Sequence, residues 1–485
     1  MDRRPVVAET APASSLPGRM ASWAALGLAA VGFGGLLALL SHRFGYAYDV
    51  AEMPVLAATA GLVSAGVLFC LVLPPLVRAS LAADAQVVRL LTVLIVVLGL
   101  AARLALFASE PILEDDYQRY LWDGAVTAAG HNPFAVAPQD ARRLGEQSPL
   151  GRLAADADVV ISRINHSDLK TIYPPVAQGA FALAHVLSPF SLTSWRAVLL
   201  AFDVATLGLI LLLLHETGRS PLWAALYWWN PLVIKELFNS AHMDAVVLPF
   251  VLASLLLTAR KRCVLAAASL AFAVGAKIWP ALLLPLVLRP LIGDRRKMAG
   301  ALLIFGGLCA LWATPILLGG IDDRSGFTAY LANWQTNSAL FPMFAQGTAA
   351  VFDALGLPVP AAAPVTRATI ALALGGLALW LSFKPLGSAD DLMGRASLLV
   401  AALVLLSPAQ FPWYAVWFAP FLAFRPWTGF LVLTATAPLY YTSFYFAALG
   451  EPEAFKRYVV WMIWVPVWAA LVFEAVRKRT RAQSA

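Results

Sequence analysis

Three consecutive acidic residues, Glu114, Asp115 and Asp116, are the feature of the sequence that most clearly suggests chemistry. With Glu110 and Asp123 they give five carboxylates in fourteen residues, directly after a long apolar run. Carboxylates this close repel one another, so at least one should have a raised pKa unless a cation or a substrate offsets the charge. Such a group suits a general base that takes a proton from an acceptor hydroxyl, whereas a pair could hold a divalent cation. The simpler alternative is that these residues mark the outer end of a membrane span.

Two polar pairs interrupt the apolar sequence further along the chain. We expect Lys235 and Glu236 to form an internal ion pair beside a helix cap. His242 and Asp244 begin an apolar helix on the presumed active face, which makes them candidates for substrate binding. They are a poor metal-binding pair, because residues two apart do not share a helical face.

Three basic residues lie in or beside apolar runs, so the position of each needs a functional or structural explanation. Lys277 lies at an expected turn between two short apolar helices, where its long stem could reach the membrane interface or its charge could neutralise a lipid-linked phosphate. Arg196, at the outer start of an apolar run, is a similar candidate. Arg103 lies within an apolar run and requires an internal partner.

Aromatic residues and the absence of common motifs narrow the chemistry. Trp413 and Tyr414 follow Pro412 and could line a groove for a sugar or a prenyl chain, although interfacial aromatic belts explain most such residues. The sequence contains no P-loop, no GxGxxG after a strand and no HExxH motif. Nucleotide binding and zinc proteolysis therefore have no support.

The composition indicates what kind of protein must position these residues. Of the 485 residues, 60% are apolar and 13% are charged, and the mean hydropathy is +0.74. Soluble domains are about 45–50% apolar and ~25% charged, which excludes a soluble globular protein. Apolar runs of about 20 residues repeat along the chain and predict an all-α polytopic integral membrane protein.

Basic clusters determine the predicted topology, since Lys and Arg concentrate in cytoplasmic loops. The clusters lie at 260–262, 289–297 and 477–481, and the polar N-terminus is also basic. To keep all of them on one side, the run 263–289 must be a hairpin of two short helices, broken at residues 277–280 where Pro280 disrupts a helix. This gives about 14 transmembrane helices with both termini cytoplasmic. Residues 109–194 are then a large external loop, in which residues 174–190 lie along the membrane surface.

The acidic stretch resembles the first-loop signature of GT-C glycosyltransferases, which are integral membrane enzymes that use polyprenyl-phosphate sugars. The likeness is carried by residues 114–124 (EDDYQRYLWDG), 130–134 (GHNPF) and 172–175 (IYPP). Weaker landmarks follow in the same order at Asn230-Pro231, His242-x-Asp244, Lys277-x-x-Pro280 and Pro412-Trp413-Tyr414. The resemblance reaches from about residue 110 to 425. It is greatest to bacterial polyprenyl-phosphate-mannose-dependent mannosyltransferases and to the first mannosyltransferase of GPI-anchor assembly.

The chain departs from that family's pattern in three ways. Glu114 stands where a GPI-type enzyme has Asp, which keeps a carboxylate, and Phe411 stands where a histidine often precedes Pro-Trp-Tyr. Two spans also precede the span that leads into the acidic loop. We therefore expect residues 1–85 to be an N-terminal cytoplasmic segment with a two-helix addition, residues 86–476 to be a GT-C-like catalytic domain, and residues 477–485 to be a basic cytoplasmic tail.

The resemblance implies an inverting transferase that moves a hexose from a polyprenyl-phosphate carrier to an acceptor. Because the likeness is greatest to mannosyltransferases, we expect the hexose to be mannose. Asp116 would be the general base, while Asp115 and Glu114 would position the acceptor or a cation. Substrate-binding residues would be Tyr117, Asp123, Tyr173, Arg196, His242, Asp244, Lys277, Trp413 and Tyr414. Family members differ in their use of metals, so a divalent cation is optional, and Glu114 with Asp116 would hold it.

The implied setting is the inner membrane of a bacterium, with the active site on the external face. The partners are the lipid bilayer, the polyprenyl-phosphate-linked sugar donor and a glycolipid, glycan or protein acceptor, without nucleic acid. A lipid-linked-sugar flippase or a secondary transporter is the alternative, because many spans and broken helices are common in transporters. A transporter should carry mid-span charges in both halves of a repeat, and the sequence shows no internal repeat. A non-catalytic assembly subunit would not require the acidic triplet.

Overall fold

The computed structural model describes residues 16–483, and this part of the chain is helical with no β-strand. The first half contains α1 (Leu16–Ser41), α2 (Val55–Ser80), α3 (Ala85–Leu104), α4 (Asp116–Ala128), α5 (Pro138–Arg143), α6 (Pro149–Asp156), α7 (Asp158–Ser162), α8 (Pro175–Leu187), α9 (Leu192–Glu216), α10 (Ala225–Trp228) and α11 (Pro231–Ile234). The second half contains α12 (Val247–Ala259), α13 (Cys263–Ala276), α14 (Leu284–Leu288), α15 (Arg295–Leu318), α16 (Gly326–Asn333), α17 (Leu340–Ala354), α18 (Ala362–Phe383), α19 (Ala389–Leu406), α20 (Thr428–Thr436), α21 (Thr442–Ala448), α22 (Pro452–Ala454) and α23 (Val460–Gln483).

The helices confirm an all-α polytopic membrane protein. Seven of them, namely α1, α2, α3, α9, α15, α18 and α23 with their flanking turns, are long and apolar enough to span a membrane. An eighth span is obtained if two consecutive segments, Pro231–Asn239 and Met243–Ala259, form one span that is bent by 104°. The sequence predicted about 14 spans; several of the extra ones correspond to short or interrupted helices.

The centre of the molecule explains this difference in number. Residues 222–249 are all buried, although they contain no long helix before α12 begins at Val247. They form the short helices α10 and α11, a π-helical turn at Lys235–Asn239 and 3-10 turns at Pro221–Ala224 and Met243–Val246. A segment that is hydrophobic on every side belongs either to a membrane span or to a protein core. Here the protein itself surrounds it, whereas α15 leaves most of its apolar surface exposed.

The predicted hairpin between residues 263 and 289 is confirmed. Helix α13 ends at Ala276, Lys277 is extended (φ −159°, ψ 140°), and a 3-10 turn at Trp279–Leu283 leads into α14. Pro280 is the second residue of that turn, where a missing backbone N–H is tolerated. The break therefore exposes Lys277 at the tip of the hairpin.

The long polar stretch after α3 folds into a cap of short helices. Pro175 begins α8, as expected for proline in the first turn, and α8 packs against α4. The two helices meet at Gly124, where a Cβ atom would lie 2.4 Å from the carbonyl oxygen of Phe181. Glycine thus allows the backbones to approach closely enough to fix α4 on the cap.

The first two helices pack on the remaining bundle, with α1 against α3 and α2 against α20. The loop between them, residues 42–54, reaches the acidic stretch that precedes α4. Arg3 and Arg4, and with them the predicted cytoplasmic N-terminal segment up to residue 15, lie outside the described residues.

Buried ion pairs connect the helices in the bundle interior. Arg103 of α3 pairs with Asp203 of α9 at 2.5 Å, and both side chains are fully buried. The guanidinium also lies over the Trp228 ring, 3.5 Å from its centroid. The expectation that Arg103 needs an internal partner is confirmed, as is the pairing of Lys235 with Glu236 at 3.6 Å.

Candidate active site

A cavity of about 830 Å³ opens between the acidic stretch, the tip of the α13–α14 hairpin and the aromatic segment after Phe411. Its size suits a ligand larger than a single sugar, since ligand pockets are about 300–1,000 Å³. The sequence-predicted site residues that line it are Glu114, Asp115, Asp116, Tyr117, Tyr173, Asp244, Lys277, Trp413 and Tyr414. Residues up to 300 positions apart in sequence therefore meet in one place.

Asp116 is the first residue of α4, and 31% of its side chain is exposed in the cavity. Among the described residues none donates a hydrogen bond to its carboxylate, and the nearest imidazole nitrogen, Nδ1 of His242, is 3.8 Å away. Burial raises the pKa of Asp116; the charge of Glu114 raises it further, while His242 and Lys277 lower it. An accessible carboxylate without a donor is free to accept a proton from a ligand.

Asp115 lies beside it at the N-terminal end of α4. The side-chain amide of Asn165 donates to Oδ1 of Asp115 at 2.5 Å. Burial, followed by the charges of Asp116 and Glu114, raises the pKa of Asp115 to about 7. Asp115 is thus held by a neutral donor, and a carboxyl group in such surroundings is readily protonated near neutral pH.

Glu114 lies at the edge of the cavity, but its carboxylate belongs to a buried polar cluster and only 6% of its side chain is exposed. Its Oε1 accepts a hydrogen bond from the Tyr441 hydroxyl at 2.9 Å, and that hydroxyl is also 3.0 Å from both carboxylate oxygens of Glu236. Lys235 donates to Tyr441 and, at 2.7 Å, to Ser240. Burial raises the pKa of Glu114. The cluster fixes Glu114 and, through the backbone, the adjacent Asp115.

His242 joins this cluster to the cavity wall. Its ring stacks on Trp413, with centroids 3.9 Å apart, and its Nε2 is 3.5 Å from Oε2 of Glu114. The preceding Ala241 has φ 59°, the left-handed conformation that is strained for residues other than glycine. Backbone strain held in place by its surroundings is typical of functional sites, and here it turns His242 towards Asp116.

Lys277 and Asp244 form an ion pair that also lines the cavity. The ammonium of Lys277 is 2.6 Å from Oδ1 of Asp244, which also accepts a hydrogen bond from the Trp417 indole at 2.5 Å. The same ammonium lies 4.7 Å and 4.8 Å from the ring centroids of Tyr414 and Trp417, within the range of cation–π attraction. Asp244 is almost fully buried, whereas the Lys277 side chain is 21% exposed. The hairpin tip therefore presents a positioned cation to the cavity.

A metal could be considered at Glu114, Glu236 and His242, whose nearest ligand atoms lie within 4.8 Å of one another. The His242 Nε2 has no hydrogen-bond partner among the described residues, as a metal ligand would before loading. The ammonium of Lys235 is, however, 3.6 Å from Glu236, and the Tyr441 hydroxyl already bridges the two glutamates. A divalent cation would be repelled by that ammonium, so the cluster fits an internal ion pair better than a metal centre.

Three sequence-predicted residues do not line the cavity, namely His242, Asp123 and Arg196. Asp123 is buried beneath it and accepts from Arg119 at 2.9 Å, Thr171 at 2.5 Å and Gln178 at 3.2 Å. Arg196 is also buried, and its five N–H groups are directed to the backbone oxygens of Phe107, Ser109, Phe238 and Asn239 and to the Ser109 hydroxyl. Asp123 and Arg196 support the cap and the loop, and Arg196 has no donor left for a phosphate.

Sequence reasoning did not find several residues at the site. Tyr441 contacts Glu114 although the two are 327 positions apart in sequence. The hydroxyls of Tyr330 and Tyr414, which are 84 positions apart, share a hydrogen bond of 2.8 Å. Tyr46 and Lys170 line the cavity from two further segments. Aromatic residues are frequent in the apolar sequence, so no spacing distinguishes these from packing residues.

Part of the chain is similar to a known family of glycosyltransferases. The model of glycosyltransferase family 87 matches residues 171–408, just under half of the chain, and this range includes Tyr173, Asp244 and Lys277. No curated protein and no solved structure matches the chain. Together with the membrane-spanning helices, the similarity to glycosyltransferase family 87 indicates a membrane glycosyltransferase.

Proposed function

We propose that the protein is an inverting hexosyltransferase of the GT-C type that transfers mannose from a polyprenyl-phosphate carrier to an acceptor at the external face of a bacterial inner membrane. The similarity to glycosyltransferase family 87 supports transfer of a sugar. The observation that carries the mechanism is that Asp116, without a hydrogen-bond donor among the described residues, and Lys277 line the same cavity.

Asp116 is the proposed general base. It takes the proton of an acceptor hydroxyl, whose oxygen attacks the anomeric carbon of the donor sugar. The bond between that carbon and the phosphate oxygen breaks as the new glycosidic bond forms, which inverts the anomeric configuration. General-base assistance of this kind contributes about 10²–10⁴-fold to a rate.

Lys277 is proposed to bind the phosphate that departs. Its ammonium already faces the cavity, and Asp244 with Trp417 holds it in place. A fixed positive charge stabilises a leaving group most where negative charge develops in the transition state.

The surroundings of Lys277 suit a lipid-linked donor. Ile278 and Leu331, which are 56% and 69% exposed, line the cavity beside Trp279. Exposed apolar side chains next to a phosphate-binding cation fit an isoprenoid chain that enters from the bilayer. The donor needs no nucleotide, in agreement with the absence of nucleotide-binding motifs in the sequence.

The proposal is tested with purified protein in lipid nanodiscs and a panel of short-chain polyprenyl-phosphate hexoses, with membrane lipid extract as acceptor. Wild type should release polyprenyl phosphate, fastest with mannose, and Asp116→Asn should lower the rate by about 100-fold or more. Asp156→Asn, at an exposed carboxylate of α6 outside the cavity, is the matched control and should keep the wild-type rate.

Two results would contradict the proposal. Release that survives Asp116→Asn would remove Asp116 as base and make Asp115 the candidate. No release from any donor, combined with movement of a labelled lipid-linked sugar across proteoliposomes, would identify a transporter instead.

A further inference from the structure

The loop between α1 and α2 forms part of the cavity wall, although it precedes the acidic stretch by more than 50 residues. Phe44, Tyr46, Tyr48, Val50 and Met53 all line the cavity. Tyr46 and Tyr48 remain 51% and 42% exposed. The first two helices thus bring two accessible tyrosine rings to the site, in addition to packing on the bundle.

Tyr46 is held in place near Asp115, the residue that precedes the proposed base. The side-chain amide of Gln118, two residues after Asp116 on α4, donates to the Tyr46 hydroxyl at 3.3 Å and to the Tyr117 hydroxyl at 2.7 Å. The guanidinium of Arg163 lies 4.1 Å from the centroid of the Tyr46 ring. An exposed tyrosine in a loop would ordinarily change rotamer freely, whereas these contacts hold its ring at the cavity mouth.

Polar groups suited to hydroxyls lie next to this ring. Asn165, two residues after Arg163, lines the cavity and donates to one oxygen of Asp115, which leaves the amide oxygen and the second carboxylate oxygen available. Burial raises the pKa of the Tyr46 hydroxyl, and the charge of Asp115 contributes to this shift. Tyr46 is therefore a neutral phenol close to a carboxylate and an amide.

This wall differs in chemistry from the wall around Lys277. The Lys277 side combines a cation with the exposed apolar residues Ile278 and Leu331, as a lipid-linked phosphate requires. The Tyr46 side combines aromatic rings with amide and carboxylate oxygens. A pyranose ring has an apolar C–H face and a rim of hydroxyls, so it matches a surface with an apolar body and polar edges.

We propose that Tyr46, with Asn165 and Asp115, forms an acceptor subsite that binds a sugar residue, so that the acceptor is a carbohydrate carried on a lipid or glycan. The inference rests on the proposed function and adds the residues that position the acceptor. Tyr46 is a positioning residue: its ring holds the acceptor sugar while Asp116 takes the proton from the attacking hydroxyl. The two N-terminal helices thereby supply acceptor specificity.

The experiment separates acceptor binding from donor chemistry. Hexyl α-mannopyranoside and hexyl β-glucopyranoside serve as acceptors, with hexanol as an acceptor that lacks a sugar and a serine-containing peptide as a protein-like one. Steady-state rates are measured for wild type, Tyr46→Ala, Tyr46→Phe and Tyr458→Ala. Tyr458 is a 60% exposed tyrosine that does not line the cavity, and its variant is the matched control.

We expect wild type to use at least one of the hexosides and neither hexanol nor the peptide. Tyr46→Ala should raise the KM for the hexoside about tenfold, with an unchanged KM for the donor and an unchanged rate of donor hydrolysis without acceptor. Tyr46→Phe should stay within about twofold of wild type, because it keeps the ring. Tyr458→Ala should match wild type, and thermal unfolding of each variant verifies folding.

Each contrary result has a distinct meaning. An unchanged hexoside KM in Tyr46→Ala, or equal increases in the donor and acceptor KM, would overturn the acceptor subsite while sugar transfer stands. Transfer to hexanol or to the peptide in preference to hexosides would overturn the carbohydrate acceptor. Failure of wild type to cleave any donor, even to water, would instead contradict the proposed function.

Discussion

Asp116 has the surroundings of a base whose ionisation depends on a few charges. Burial raises its pKa above the ordinary 3.8, and Glu114 acts in the same direction, whereas His242 and Lys277 oppose it. A carboxyl group with a raised pKa loses its proton only at a higher pH. The active, ionised fraction is therefore lost as the pH falls through that raised value, and the acid limb of kcat/KM should lie at a higher pH than an ordinary aspartate would give.

Lys277 provides a test of this electrostatic account. Lys277→Gln removes a positive charge that lowers the pKa of Asp116, so the acid limb of kcat/KM should move to higher pH while the maximal rate falls. Lys456→Gln, at an exposed lysine outside the cavity, should leave both unchanged. The pH dependence of donor cleavage measures the shift, and an acid limb at the same pH in Lys277→Gln would show that the two groups do not interact.

The roles of individual residues were predictable where the residue type alone indicates a role or a partner. The acidic triplet, the internal partner of Arg103 and the Lys235–Glu236 pair were all expected from the sequence. The role of Arg196 was not, because a buried arginine satisfied by backbone oxygens and one that binds phosphate look the same in sequence. The role of Tyr441 was not predictable either, since its contact with Glu114 exists only in the folded chain.

Short elements, and not the long spans, position the site. The break between α13 and α14 was predicted, because the basic clusters required a hairpin and Pro280 identified its place. The segment from α10 to α12 was not, because its apolar runs on either side of residues 239–240 predict two regular spans. Its π-helical turn and the left-handed Ala241 depend on packing against every neighbour, which a hydropathy pattern does not contain.

The crossing of α4 and α8 supports the acidic end of α4. At Gly124 a Cβ atom would lie 2.4 Å from the Phe181 carbonyl oxygen, so backbone must move to admit it. We expect Gly124→Ala to lower stability by about 1–3 kcal/mol, the ordinary cost of overpacking, and to reduce donor cleavage because α4 carries Asp116. Thermal unfolding and the cleavage rate measure both effects.

Gly179 on α8 is the matched control for that substitution. A Cβ atom at Gly179 meets nothing within 4 Å, and the helix gains from alanine. Gly179→Ala should therefore leave the cleavage rate unchanged and slightly raise the unfolding temperature. Equal behaviour of the two alanine variants would mean that α4 and α8 do not need their close contact.

The molecule as a whole separates a basic surface from the cavity. The clusters at 260–262 and 289–297 flank the ends of α13 and α14 that lie away from Lys277. Two further basic residues, Arg219 and Arg425, pair with Asp390 in the first turn of α19. The acidic stretch and its cap, in contrast, surround the cavity. Since Lys and Arg concentrate on the cytoplasmic side, this arrangement favours an external active site.

Cysteine accessibility tests that orientation directly. In a variant with Cys70, Cys263 and Cys309 replaced by alanine, single cysteines are introduced as Glu146→Cys in the cap and Lys261→Cys between α12 and α13, both at exposed positions. A membrane-impermeant maleimide added to spheroplasts should label position 146 at once and position 261 only after the membrane is permeabilised. The reverse pattern would place Asp116 in the cytoplasm, where nucleotide sugars are present, and a lipid-linked donor would lose its topological rationale.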